Sequence, residues 1–95
     1  MIYVLTNDVN AYDQYGEYFI HAWDHKPSIK EMMDKIEDHE WEIDPYPDYK
    51  KGEFFKYEST VEWYKTMLQE VLNNINKFIR LKNSDFRYRL IQIQN

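Results

Sequence analysis

The stretch Ser59–Lys82, STVEWYKTMLQEVLNNINKFIRLK, decides the reading of the fold. Its apolar residues fall at Val61, Tyr64, Leu68, Val71, Ile75 and Phe78. Steps of three and four place them along one face of an α-helix. Leu72 and Ile79 widen that face to a stripe roughly 100° across, broad enough to bed on a core. Ser59 and Glu62 form an S-x-x-E capping box at its start. Lys77, Arg80 and Lys82 stand in the last turns, where the helix dipole favours cations, and Asn83 is the expected stop. The pattern predicts one long helix over 59–82.

Working outward, Phe86–Gln94 (FRYRLIQIQ) alternates as a strand. Phe86, Tyr88 and Leu90 point one way; Arg87, Arg89, Ile91 and Ile93 point the other. At the other end, Met1–Thr6 and Glu17–Trp23 read as two strands of a hairpin, the second apolar enough to be central. Asn7–Gly16 (NDVNAYDQYG) reads as the turn-rich loop between them. Ser28 and Glu31 form a second capping box. It opens a helix with Ile29, Met32, Met33 and Ile36 on its buried face, ending near His39. From Glu40 to Tyr57 the chain is predicted to be a long loop, because Pro45 and Pro47 exclude a regular helix and Gly52 marks a turn. Trp41, Phe54 and Phe55 are expected to fold inward beneath it as a satellite cluster. The order is β-β-α-loop-α-β. The simplest packing is an α+β domain over residues 1–95, a three-stranded antiparallel sheet with two helices packed on one face.

Composition narrows the function classes. The 95 residues make a single domain with room for one modest core. No cysteine is present, which excludes a disulfide framework, a Cys-based zinc site and a thiol nucleophile. MIYVLTND lacks the basic start of a signal peptide, and no apolar run approaches the ~18–20 residues of a membrane helix. A cytoplasmic protein is the expectation. The net charge of −5 is unevenly spread. Residues 1–49 hold twelve acids against three lysines, a net of −9, and residues 50–95 carry a net of +4. An acidic half argues against direct nucleic-acid binding, because phosphates are repelled there.

That acidity concentrates between Glu31 and Asp48, where eight carboxylates face Lys35 alone. Charge runs of this kind usually serve solubility. Here, however, Glu37, Asp38, Glu40 and Glu42 lie at or beyond the C-terminal end of the first helix, where the dipole disfavours anions by a few tenths to ~1 kcal/mol. The candidate partner-binding surface is therefore Glu37, Asp38, Glu40, Glu42, Asp44 and Asp48, with Tyr12, Tyr15, Tyr46 and Tyr49 as aromatic anchors. Arg87 and Arg89 form the alternative site. With aromatic neighbours they are able to grip a nucleotide, or else they pair with the chain's own acids.

No catalytic set emerges. His21 and His25 are four apart but not on one helix, which is weak evidence for zinc. Asp8–Asp13 lacks the fifth-position oxygen, the glycine and the late glutamate of a calcium loop. Two glycines in the whole chain leave no phosphate-cradling loop. Neither metal nor cofactor is expected, and an enzyme is the least expected class.

Residues 3–36, YVLTNDVNAYDQYGEYFIHAWDHKPSIKEMMDKI, resemble the β-β-α openings of small bacterial and phage proteins. The whole chain is short, acidic, aromatic-rich and free of cysteine. It resembles phage-encoded inhibitors of host defence, including anti-CRISPR proteins. That resemblance implies an inhibitor whose acidic surface masks a basic nucleic-acid channel of a host protein. Two other classes stay open: a sequestering protein for a small nucleotide signal, and a structural homodimer using the long helix or a sheet edge.

Overall fold

The computed structural model describes residues 1–11, 14–43, 49–82 and 84–94. Six elements follow one another: β1 (Ile2–Ala11), β2 (Gln14–Trp23), α1 (Ile29–Ile43), α2 (Glu58–Asn73), β3 (Ile79–Arg80) and β4 (Phe86–Ile93). The strands form one antiparallel sheet in the order β2-β1-β4-β3. The α+β class is as read from sequence, but the sheet has four strands rather than three.

Three boundaries differ from the reading, and the second supplies the extra strand. First, β1 and β2 run ten residues each, taking in most of the stretch read as a loop. The main chain of that stretch pairs across the sheet, and Asp8 meets Arg87 of β4, so turn-forming types are tolerated in extended chain. Second, the long helix ends at Asn73. Asn76 adopts a positive φ of 70°, and its main-chain N–H donates to the Leu90 carbonyl at 2.9 Å. Its side-chain carbonyl accepts from the Gln92 N–H at 3.0 Å. Asn tolerates this left-handed geometry, which stops the helix and turns the chain onto the edge of β4. Ile79 and Arg80, read as helical, become the short outer strand. Third, α1 continues to Ile43, past the predicted end at His39, since no helix breaker stands before Pro45.

The caps divide in the same way. At α1 the Glu31 N–H donates to Ser28 Oγ and the Ser28 N–H to Glu31 Oε1, both at 3.1 Å, which completes the capping box. At α2 the cap residue is Tyr57, in extended geometry and without a side-chain hydrogen bond, so Ser59 lies inside the first turn.

Both helices cover one face of the sheet, α1 on β2 and α2 on β3 and β4. Leu5, Met32, Ile36, Leu68, Val71, Tyr88 and Leu90 are fully buried between the layers. Each such side chain contributes roughly 1.5–3 kcal/mol by leaving water. Trp41, Tyr49, Phe54, Phe55, Tyr64 and Tyr88 form a continuous row of ring contacts, with centroids 4.8–6.0 Å apart. This row pins Tyr49, Phe54 and Phe55 against the core. Gly52, at a φ of 90°, makes the turn that returns the segment toward Glu37. Asn7 is fully buried on the covered face, and neither of its amide atoms meets a hydrogen-bond partner among the described residues.

Candidate functional site

The helical wheel of α1 separates the acids that the sequence grouped together. Glu40 turns inward, close enough to Tyr64 and Tyr88 for its charge to act on both phenols. Burial is the main cause that pushes the Tyr64 pKa up to about 12 and that of Tyr88 well above 10, and Glu40 adds to both. The two hydroxyls lie 3.3 Å apart. Glu37 faces the α2 side, beside Gly52, and lines a groove with Met33, Asp34, Phe55 and Lys65. Asp38 and Glu42, one turn apart and both exposed, face the β2 side. Neither forms an ion pair within 4 Å among the described residues. The last turn of α1 carries no basic residue.

On the solvent side, Glu31, Asp34, Asp38 and Glu42 make a stripe along α1. At 1.5 Å rise per residue it spans roughly 16 Å, about one charge every 5 Å. Only its first half is engaged: Lys30 pairs with Asp34 at 3.3 Å, and His25 bridges Asp24 at 3.0 Å and Glu31 at 2.8 Å. Hydrogen bonds to those two carboxylates raise the His25 pKa.

The tyrosine anchors fare differently. Tyr12, Asp44, Tyr46 and Asp48 lie outside the described residues, as does the side chain of Tyr15, whose backbone pairs with Asn10. Tyr49 belongs to the inward aromatic row instead of standing free: its ring is 5.8 Å from Trp41 and 5.6 Å from Phe54.

Arg87 and Arg89 lie on the open face of the sheet, and both are occupied. Arg87 Nε donates to Asp8 Oδ2 at 3.0 Å, and its Nη2 meets the same oxygen. Arg89 donates through Nε and Nη2 to Glu17 at 2.5–2.9 Å. Thr6 Oγ1 donates to Glu17 as well, at 2.5 Å. Phe78 lies over both guanidinium groups, 4.3 Å from Arg89 and 4.9 Å from Arg87. Burial pulls the Glu17 pKa upward, but the hydrogen bonds from Arg89 and Thr6 and the Arg89 charge outweigh it, and the pKa lies below 4.5.

Sequence reasoning missed the outer edge of β2. Read as central, β2 is an edge strand, because β4 takes the other side of β1. Residues 16–19 are exposed, with Phe19 at 63% and Tyr18 at 41%. A bulge opposite Leu5 and Thr6 displaces Ile20 from the register. Between this strand and α1 lies a groove of about 290 Å³, lined by Phe19, Ile20, His21, Asp38, His39 and Glu42. His39 is half-buried there with no partner for Nε2 among the described residues. Burial lowers its pKa from the ordinary histidine value, against the pull of Glu42.

No protein-family model, curated protein or solved structure matches the chain. Among the described residues no three His, Asp or Glu side chains gather as a metal site, and no helix is long and apolar enough to cross a membrane.

Proposed function

We propose that this chain is a small acidic protein-binding module, an inhibitor that occupies a basic, nucleic-acid-binding surface of a host defence protein. The observation that carries the reading is the bare end of α1. Asp38 and Glu42 stand exposed on the last turns, against the helix dipole and without an ion pair among the described residues. Such a placement costs a few tenths to ~1 kcal/mol. Two uncompensated carboxylates on an ordered helix favour a partner that brings the cations. With Glu31 and Asp34 they repeat charge at a few ångströms, sparser than one nucleic-acid strand but of the same sign and order. The nucleotide-sequestering alternative is less favoured, because Arg87 and Arg89 are already taken up by Asp8 and Glu17.

The test is retention on the immobilised chain from a bacterial lysate at low salt. The retained protein is expected to be basic, to be displaced by duplex DNA, and to be lost when the column carries the Asp38→Asn, Glu42→Gln variant. Equal retention by that variant ends the reading.

A further inference from the structure

We propose that β2 and α1 together form a recognition groove for an extended basic segment of the partner, which adds to the sheet as a fifth strand beside β2. This rests on the protein-binding reading above and names the contact it uses.

A strand on the outside of a sheet presents a row of main-chain donors and acceptors with no neighbour. β2 is ten residues long and outermost in the sheet. Natural edges are commonly blunted by lysine, proline or an outward charge. Gln14–Trp23 contains neither lysine nor proline, and its one acid, Glu17, is turned to Arg89 across the open face. The bulge at Ile20 bends the strand. It leaves residues 16–19 exposed as a run.

A helix running beside a free strand edge is the geometry of strand addition, in which main-chain hydrogen bonds supply affinity and alternate side chains enter pockets. Here the side chains of an added strand fall alternately on the open face and over the groove on the other. The groove wall then sets the chemistry. Asp38 and Glu42 lie one helical turn apart, about 6 Å along α1. Lys35 is the one cation lining the groove among the described residues. His39 lies half-buried in the same wall, and its Nε2 has no hydrogen-bond partner among the described residues. A second copy of this chain is a poor occupant. Pairing β2 with β2 about a twofold brings the α1 acids of both copies to one side of the joined sheet, and like charges repel.

The test follows amide resonances of the 15N-labelled protein during addition of a terminally blocked octapeptide alternating valine and arginine. Two N-methylated versions of it serve as controls, one blocked at the valines and one at the arginines. Each lacks the amide hydrogens along one of its edges. The unmodified peptide is expected to shift amides of 16–22 and 35–42, and one N-methylated version is expected to be silent. The Asp38→Asn, Glu42→Gln variant is expected to weaken binding about fivefold, the effect of two modest charge contacts. Shifts that survive both N-methylations, or an unmodified peptide that moves α1 but not β2, overturn strand addition and leave the acidic-surface reading standing. No shift anywhere at millimolar peptide overturns the groove as a site, while loss of partner retention in the variant still decides the wider reading.

Discussion

Asp8 and Glu17 on the open face of the sheet are each gripped by an arginine, whereas Asp38 and Glu42 on α1 face solvent with no cation within salt-bridge distance among the described residues. The four side chains are chemically alike. What separates them is the origin of their surroundings. The arginines arrive from a strand 72 and 79 residues further along the chain, brought into register by β1–β4 pairing. Among the described residues α1 meets no such strand on its outer side. The fold thus neutralises Asp8 and Glu17 on the sheet face and brings no cation within 4 Å of Asp38 and Glu42 among the described residues. Acids of the first kind belong to stability, and acids of the second kind are the ones the proposed partner surface uses.

The difference is open to attack, most strongly at Arg89. Replacing Arg89→Glu removes a part-buried, two-armed ion pair and sets a second carboxylate against Glu17. The expected cost is about 2–3 kcal/mol, read as a drop in the urea midpoint. A cost below about 0.5 kcal/mol would mean that the pair contributes no more than an ordinary surface contact.

A milder probe is acid. The folded pKa of Glu17 lies below its ordinary value of 4.5. Its contribution is therefore present above that value and is lost as pH falls through the folded pKa. In Glu17→Gln, stability at pH 7 should fall by about 1 kcal/mol. The gap to wild type should then narrow in acid. A gap that stays constant down to pH 2 would refute the assignment.

The smallest effect sharpens the contrast most. Asp38→Asn with Glu42→Gln should raise stability by a few tenths to ~1 kcal/mol at low salt, with less gain at high salt, as the dipole penalty is lifted. Destabilisation by the double variant would move these two acids into the same class as Glu17.

Much of this architecture is legible in the chain itself. The Ser28–Glu31 capping box, the buried stripe of α2 up to Val71 and the alternation of β4 are local patterns, and each lies where its period places it. The NNIN run at 73–76 carried the signal for the early helix end, since asparagine accepts a positive φ. The apolar spacing of Ile75, Phe78 and Ile79 masked it. Phe78 instead covers the two arginines. The candidate site was half legible. The acidity of α1 is plain, but its division into an inward Glu40, a flanking Glu37 and an outward pair at Asp38 and Glu42 depends on α1 running to Ile43.

By itself, then, the sequence determined the α+β class, the helical faces, the alternation of β4 and the imbalance of charge. These follow from periodicity, capping and composition, which act within a few residues. Tertiary structure alone decided that β1 is central, that β2 is an edge, that Arg87 and Arg89 are occupied by Asp8 and Glu17, and that a groove lies between β2 and α1. Strand order and cross-sheet ion pairs join residues far apart in the chain, and no local propensity encodes which of two like strands takes the outside.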